Sequence, residues 1–222
     1  MQIESFPDEL SSEIIHRLQN VSFPTFGHYL ESGFCDPTIQ RLCTKYRIVG
    51  QAITVRLTAQ DSTLLHHTVS QLRKNDVLVI DMGGDFKHAP VGLVVATAAK
   101  LRGAAGIVVD GAVTDIDEIA DLGIPIYAKG KSILTTKLLG QSEGSLNSPI
   151  TCGGVSVNAG DIVLGDSNGV AIFTREVVNA LLSEIEEDDK AEPDLITKLQ
   201  RGALLGDETG ASQMIKNLDG SI

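Results

Sequence analysis

The sequence predicts an α/β fold: a β/β/α layered domain with flanking N- and C-terminal helices. The first observation behind this prediction lies at residues 76–118, where a short apolar strand, a glycine-containing loop, a helix and a second strand follow one another. This order is typical of a βαβ unit, whose two strands are parallel neighbours. The second observation is that strand patterns outnumber helical ones along the chain, while both ends carry helical patterns.

The elements of this central unit are predicted from apolar spacing. Residues 77–80 form an apolar run rich in β-branched side chains, which indicates a buried strand, and residues 81–90 contain the glycines and proline of a loop. Helical spacing predicts a helix over 93–101, and a second strand over 106–109 is expected to end in a turn at Asp110-Gly111. One face of the helix is expected to be buried, made of Val94, Val95, Ala98 and Leu101.

The remaining elements follow from the same patterns. Helices are predicted over residues 7–20, within 21–29, and over 62–72, 117–122 and 175–185. Strands are predicted over 48–58, 124–128, 150–158, 161–164 and 170–173, the last two joined by a tight turn. We interpret residues 129–148 as a polar surface loop and residues 34–39 as a loop. The chain is treated as a single domain, with an N-terminal helical arm (1–46), a β/β/α core (47–185) and a C-terminal helical extension (186–222).

Composition narrows the classes of partner. The net charge of -11 argues against nucleic acid, because phosphate contacts need a basic patch, and it suits a basic protein partner instead. The sequence contains no apolar run of about 18 residues, so no membrane-spanning helix is expected. The acidic start of the chain does not resemble a signal peptide. An odd number of cysteines (Cys35, Cys43 and Cys152) indicates free thiols, and we expect a cytoplasmic location.

The topology predicts where a site would lie. In sheets of this kind, ligands bind at the carboxyl ends of the strands, beside the N-terminus of the following helix. The loop over residues 83–92 and the segment over residues 110–118 both leave such strand ends. We therefore expect these two segments to meet, and any site to lie between them. Asp81 and Asp110, which end the two strands, are interpreted as turn-shaping residues.

Asp115 has two interpretations from the residues alone. A carboxylate placed shortly after the turn glycine Gly111 can hold a hard divalent cation, with water in the other coordination positions. Alternatively, Asp115 caps the helix predicted after it, because it stands three residues before Glu118 in the spacing of a capping box.

Two further candidates lie on the first of these segments. The backbone N–H groups of residues 92–95 (Gly92, Leu93, Val94 and Val95) open a helix and can bind an anion, although a plain loop-to-helix junction gives the same sequence. His88 faces the same region as a candidate general base or phosphate contact, or as a solvated loop histidine.

Five segments, in order, resemble one family: the regulator of ribonuclease activity A family, which includes the 4-hydroxy-4-methyl-2-oxoglutarate aldolases. They are IVGQAITV (48–55), NDVLVIDMGGD (75–85), ATAAKLRGAAGIVVDGAVTD (96–115), GIPIYAKG (123–130) and CGGVSVNAGDIVLGDSNGVAIF (152–173). The resemblance covers residues 47–185. It implies a swivelling β/β/α fold, a homotrimer or homohexamer, and cleavage of 4-hydroxy-4-methyl-2-oxoglutarate or decarboxylation of oxaloacetate with a divalent metal cation, Mg or Mn.

The resemblance also assigns roles to residues. Gly92 matches the family's loop glycine and Asp115 its metal-binding aspartate. Leu93 stands where the family has an acid, and Thr114 stands where it has arginine, a Thr-Asp version that resembles one subgroup. The implied catalytic set is Thr114, Asp115 and His88, and the implied substrate contacts are residues 92–95 and Thr114. Asp85 is the substitute expected for the missing acid.

Three functional hypotheses follow. The first is a metal-dependent carbon–carbon lyase acting on a small 2-oxo acid. The second is a non-catalytic oligomeric protein that binds a basic protein partner, as the ribonuclease-regulating members do. The third is an enzyme of the family with a changed substrate, in which His88 or Lys87 replaces the arginine. The missing arginine leaves all three open.

Overall fold

A central sheet with helices against it forms the core of the computed structural model, which describes residues 1–43, 46–58, 60–141 and 143–219. The strands are β1 (Gln2–Ile3), β2 (Gln40–Cys43), β3 (Ile48–Arg56), β4 (Asp76–Asp81), β5 (Gly106–Val113), β6 (Ile126–Lys131), β7 (Ser145–Leu146), β8 (Ile150–Cys152), β9 (Val155–Val157), β10 (Ile162–Asp166) and β11 (Gly169–Phe173). The helices are α1 (Ser12–Gln19), α2 (Thr63–Gln71), α3 (Leu93–Leu101), α4 (Ile116–Ala120), α5 (Arg175–Gln200), α6 (Leu205–Glu208) and α7 (Ala211–Asp219), with a 3₁₀ helix at Pro24–His28.

The four central strands are parallel and adjacent in the order β3-β4-β5-β6. Strand β10 extends the sheet antiparallel to β3 and forms a hairpin with β11, while β2 pairs antiparallel with β6. The predicted βαβ unit is confirmed as β4-α3-β5, and α3 has the predicted bounds.

Burial of the sheet on both faces explains the continuous apolar strands. In β4, Leu78 and Ile80 pack with α2 and α3 on one face, whereas Val77 and Val79 face the layer that contains the β8-β9 hairpin. A strand buried on both faces reads as an unbroken apolar run. The predicted β/β/α layering is therefore confirmed.

Helices from both ends of the chain pack together against the β10-β11 side of the sheet. Leu18 of α1, Phe26 of the 3₁₀ helix and Leu182 of α5 share one buried cluster with Phe173 of β11, and the rings of Phe26 and Phe173 stack at 5.1 Å. Helix α5 continues without interruption from Arg175 to Gln200. None of the helices in the described residues is long and apolar enough to cross a membrane.

The sequence predicts a helical arm over residues 1–46, but this segment is not purely helical. It contains β1 and β2, and both strands join the main sheet. Short strands of this kind have little local pattern, because long-range pairing decides them. The cysteines Cys35, Cys43 and Cys152 are buried free thiols.

The predicted turn at Asp110-Gly111 is wrong. Strand β5 continues to Val113, and its pairing with β6 shifts between Val109 and Ala112. Three residue steps along β5, from Val109 to Ala112, match two steps along β6, from Ala128 to Gly130. Strand β5 therefore contains one extra residue, which forms a β-bulge. The bulge, rather than a turn, accommodates Asp110 and Gly111.

The predicted buried face of α3 is also wrong in part. The helix buries Val95, Ala96 and Ala99, whereas Val94 is 74% exposed and Leu101 is 82% exposed. The small alanines allow the helix to approach the sheet closely, so the larger apolar side chains on either side of this stripe point outward.

Candidate functional site

The loop before α3 and the segment after β5 meet, as predicted. Val91 and Val113 form a parallel bridge, and the Thr114 N–H donates to the Val91 carbonyl at 2.9 Å. The site predicted at the carboxyl ends of β4 and β5 thus has a fixed backbone frame, with the N-terminus of α3 at its centre.

The backbone of Asp115 is left-handed, with φ 56° and ψ 39°. A residue other than glycine in this region costs on the order of 1–3 kcal/mol, although aspartate tolerates it better than most. The carboxylate makes no capping hydrogen bond to α4. Instead, Oδ2 accepts from the Leu93 N–H at 2.9 Å and Oδ1 accepts from the Thr114 hydroxyl at 3.2 Å.

The capping-box interpretation of Asp115 is therefore wrong. The left-handed backbone turns the side chain away from α4 and towards the first turn of α3, whose partial positive charge favours an anion. The residue is exposed, so both carboxylate oxygens keep lone pairs open to solvent.

Gly92 supplies the space that this arrangement needs. A Cβ atom at position 92 would lie 2.5 Å from Asp115 Oδ2 and 2.9 Å from Thr114 Cγ2, both too close for real atoms. The φ of Gly92 is −132°, an extended value that any residue adopts. Glycine is required here by the close approach of Asp115, and not by the backbone angle.

The anion site predicted at residues 92–95 is partly occupied by the protein itself. The Leu93 N–H is bound to Asp115, while the N–H groups of Val94 and Val95 precede the first helical hydrogen bond, from Ala96 N to Gly92 O at 3.0 Å. The Leu93 side chain packs against the core beneath α3. Two amides therefore remain directed at the site beside a carboxylate that is already bound.

His88 is held by Asp85 and is not freely solvated. Its Nδ1 lies 2.6 Å from Asp85 Oδ2, and its side chain is 12% exposed. Asp85 Oδ1 also accepts from the N–H groups of Lys87 at 2.7 Å and His88 at 3.1 Å. Burial opposes ionisation of Asp85, but hydrogen bonds from Lys87 and His88 outweigh it and lower the pKa of this carboxyl.

This contact pairs Asp85 with His88, while its expected role as a substitute for the missing acid stays a prediction. Its carboxylate orients the imidazole, and with a proton on Nδ1 the other nitrogen, Nε2, is a hydrogen-bond acceptor. The loop is fixed at both sides: a Cβ at Gly111 would lie 3.1 Å from the Asp85 carbonyl, and Ala89 N donates to Leu134 O at 2.8 Å. These contacts hold the loop that carries Asp85 and His88 in place.

The two aspartates that were predicted to end strands have different roles: Asp81 ends β4, whereas Asp110 lies within β5. Asp81 shapes its turn as expected, accepting from the Gly83 N–H at 2.7 Å. Asp110 does not shape a turn, because its Oδ2 accepts from the Gly153 N–H at 2.7 Å and its Oδ1 pairs with the ammonium of Lys129 on β6. The hydrogen bond to Gly153 ties the bulged part of β5 to the β8-β9 hairpin.

Sequence reasoning missed two cations near this end of the sheet. Arg56, at the end of β3, lies 3.8 Å from Asp81, and Lys129 of β6 lies 5.1 Å from the ring centre of Phe86. Their positions at the carboxyl ends of predicted strands were the available signal.

The residues present fit a magnesium-type ion held through one carboxylate. Within the described residues, no group of three or more His, Cys, Asp or Glu side chains converges as a metal cage. Mg²⁺ commonly keeps several waters and is bound by one or two carboxylates together with substrate. Asp115, exposed and fixed by two hydrogen bonds, meets that requirement.

Similar proteins agree with this architecture. A protein of Halalkalibacterium halodurans named "Putative 4-hydroxy-4-methyl-2-oxoglutarate aldolase" is 36% identical over 157 residues, which are 69% of this chain and 74% of the relative. The structure of the RNA-processing inhibitor RraA from Thermus thermophilis superimposes with a TM-score of 0.63 at 24% identity, covering 70% of this chain and 93% of that one. Streptomyces coelicolor RraAS2, described as an unusual member of the RNase ES inhibitor RraA protein family, gives a TM-score of 0.74 at 23% identity, covering 89% and 100%.

The two structural likenesses at these identities establish the fold alone. The family evidence comes from the sequence: residues 18–172 match the family described as "RraA-like: Aldolase/RraA". This match spans well over half of the chain and contains the whole of the β4-α3-β5 unit with Gly92 and Asp115. The chain therefore belongs to the Aldolase/RraA family.

Proposed function

We propose that this protein is a divalent-metal-dependent carbon–carbon lyase that acts on a small 2-oxo acid. The observation that carries the proposal is the Asp115 carboxylate, held in a left-handed conformation against the first amide of α3 at 2.9 Å. A strained, exposed carboxylate at the carboxyl end of a parallel strand is an arrangement that favours a binding site. The relative in Halalkalibacterium halodurans named as an aldolase supports the same class of activity.

Asp115 would hold the ion, Mg or Mn. When bound, the ion supplies Lewis-acid stabilisation of negative charge on the oxygen atoms of a 2-oxo acid. The chain itself prepares this position, because the Leu93 N–H and the Thr114 hydroxyl fix the two carboxylate oxygens.

The substrate carboxylate would bind the N–H groups of Val94 and Val95. Asp115 already places one negative charge at this helix end, and a second anion beside it is repelled unless a cation lies between them. A 2-oxo acid therefore binds here together with a divalent cation and poorly without one. This coupling follows from the arrangement of Asp115 and α3 and not from a conventional metal cage.

His88 would move the proton. Asp85 orients its Nδ1 at 2.6 Å, which leaves Nε2 to accept a proton from the substrate hydroxyl as a carbon–carbon bond breaks. Thr114 donates a hydrogen bond but brings no charge, so it does not replace the stabilisation that arginine gives. We therefore propose that the preferred 2-oxo acid differs from 4-hydroxy-4-methyl-2-oxoglutarate, or that turnover of this compound is slow.

The test is a turnover screen of 2-oxo acids with and without magnesium or manganese, together with calorimetry of metal binding. The variant Asp115→Ala is expected to abolish metal binding. Its matched control is Asp117→Ala, an exposed carboxylate two residues further on in α4, which is expected to leave binding unchanged. Equal metal affinity in Asp115→Ala and the wild type would remove Asp115 from the site and contradict the proposal.

A second candidate function is a non-catalytic, oligomeric protein that binds a basic protein partner. The similar protein from Thermus thermophilis is an RNA-processing inhibitor, and the net charge of -11 on this chain suits attraction to a basic surface. Failure of every 2-oxo acid in the screen, with metal binding also absent, would favour this second function.

A further inference from the structure

A cavity lies at the edge of the sheet opposite the candidate site. Its volume is about 570 Å³, and it is formed where the central strands begin. Arg47 precedes β3, Lys74 and Asn75 precede β4, and residues 102–105 precede β5. Since a strand rises about 3.3 Å per residue, the length of β4 separates the two ends by about 20 Å.

The lining of this cavity is cationic. It includes Arg47, Lys74, Lys100 and Arg102, and no Asp or Glu is among the described residues that line it. The protein as a whole has a net charge of -11, so the positive charge of this cavity is opposite in sign to the net charge of the molecule. Four cations facing one concavity repel one another unless an anion lies between them.

Backbone carbonyls, and not carboxylates, position the Arg47 guanidinium. It donates to the carbonyls of Gln19 at 3.2 Å and Val21 at 2.5 Å, and it stacks on the Phe23 ring at 3.7 Å. Carbonyl oxygens orient the group without neutralising it. Burial lowers the pKa of Arg47, and the attraction of Asp166 and Asp189 offsets this only in part. Arginine remains charged nonetheless.

Two of the other cations, Arg102 and Lys100, are also held by backbone carbonyls. Arg102 Nε donates to the Leu72 carbonyl at 3.0 Å, and the Lys100 ammonium donates to the Leu122 carbonyl. No ion pair joins Arg47, Lys74, Lys100 or Arg102 to a carboxylate anywhere in the part of the chain that the structure describes. The cavity thus presents positive charge that forms no ion pair with a carboxylate of the described residues.

We propose that this cavity binds a small, multiply charged phosphate anion, such as the diphosphate group of a nucleotide or inorganic pyrophosphate. Its volume lies within the range of about 300–1,000 Å³ typical of small-molecule sites. The small residues Gly103, Ala104 and Ala105 leave its floor open. Arginine forks and lysine ammoniums are the groups that recognise phosphate oxygens. An extended nucleic acid would meet the repulsion of the surrounding acidic surface, whereas a compact anion would not.

The experiment is calorimetric titration of the full chain with pyrophosphate and, separately, with ADP, in metal-free buffer so that Asp115 takes no part. The test variant is Lys74→Gln combined with Lys100→Gln. The control variant is Lys190→Gln combined with Lys216→Gln, which removes the same charge from exposed positions on α5 and α7. Thermal unfolding of each variant checks that the fold is kept.

We expect the test variant to bind at least tenfold more weakly and the control variant to change by less than twofold. If pyrophosphate binds more tightly than ADP, the ligand is an inorganic anion, and if ADP binds more tightly, the ligand is a nucleotide. Either result supports the site. Equal weakening in both variants, or no binding of either anion by the wild type at millimolar concentration, would overturn the proposal. A single-stranded oligonucleotide that binds more tightly than both anions, and loses affinity in the test variant, would also overturn it.

Discussion

Replacing Gly92 with alanine tests the arrangement on which the candidate site depends. The added methyl group would lie 2.5 Å from Asp115 Oδ2 and 2.9 Å from Thr114 Cγ2. The extended backbone of Gly92 is open to alanine, so strain in φ or ψ plays no part. The substitution should therefore act through these two contacts, and the shorter one forces the Asp115 carboxylate away from the first turn of α3.

The magnitude follows from the hydrogen bond that is displaced. The contact between Leu93 N–H and Asp115 Oδ2 has a charged acceptor, and hydrogen bonds of this kind contribute about 1.5–3 kcal/mol. We expect Gly92→Ala to lower the free energy of unfolding by about 2 kcal/mol, which lowers Tm by about 4–8 °C in a chain of this size. Magnesium affinity should fall at least tenfold, because the proposed metal ligand, Asp115, has moved.

Thermal unfolding and calorimetry of four proteins measure this: the wild type, Gly92→Ala, Asp115→Ala and the double variant. In the double variant the clashing carboxylate is absent, so Gly92→Ala should lower the free energy of unfolding by less than it does in the wild type. We expect a coupling energy between positions 92 and 115 of at least about 1 kcal/mol. The matched control is Gly130→Ala in β6, where a Cβ meets nothing within 4 Å. Equal costs of Gly92→Ala in the two backgrounds would refute the reasoning.

Three further predictions concern activity, pH and assembly. The missing arginine should cost about 3 kcal/mol of transition-state stabilisation, or roughly a hundredfold in rate, so we expect weak cleavage of 4-hydroxy-4-methyl-2-oxoglutarate. The combined variant Leu93→Asp with Thr114→Arg should be more active, measured by pyruvate release coupled to lactate dehydrogenase. Turnover of several per second in the wild type would contradict this. Burial opposes ionisation of Asp61, but hydrogen bonds from the Thr63 hydroxyl and from the N–H groups of Leu139, Thr63 and Gln141 lower its pKa to about 2. Since the unfolded value is about 3.9, its stabilisation is present above pH 4 and is lost as the pH falls towards 2; urea unfolding should show the gap between wild type and Asp61→Asn closing over that window, and a constant gap would count against it. Finally, we expect a homotrimer or homohexamer in sedimentation, because apolar side chains such as Val94 and Ile133, which is 100% exposed, need cover; a monomer at micromolar concentration would be the contrary result.

Local sequence patterns were sufficient for the central unit. The apolar run of β4 and the helical spacing of α3 predict both elements, because burial on both faces of a strand and at one face of a helix leaves a local signature. The side of α3 that faces the sheet was predicted less well. Helical spacing gives a period, but the choice between the stripe of Val95, Ala96 and Ala99 and its larger neighbours depends on how closely the helix packs.

Local sequence patterns could not predict the hydrogen-bond partner of Asp115. Its spacing to Glu118 satisfies the capping-box pattern, yet the left-handed backbone turns the carboxylate towards Leu93, which is 22 residues away in the sequence. The resemblance to a known family identified Asp115, whereas only the structure identifies its partner. The same is true of Asp85: three-residue spacing to His88 is compatible with a contact, but loop conformation decides whether it forms.

The bulge in β5 has a consequence for how this segment tolerates changes of length. One extra residue between Val109 and Ala112 sets the direction in which every later side chain of the strand points. Deleting a single residue there would restore a regular ladder and, because side chains alternate with a period of two, would turn Ala112 and Val113 towards the opposite side of the sheet and displace Thr114 and Asp115, which follow them. Substitutions at Asp110 would therefore be milder than a one-residue deletion, which would move the proposed metal ligand out of the site while leaving Asp115 in the chain.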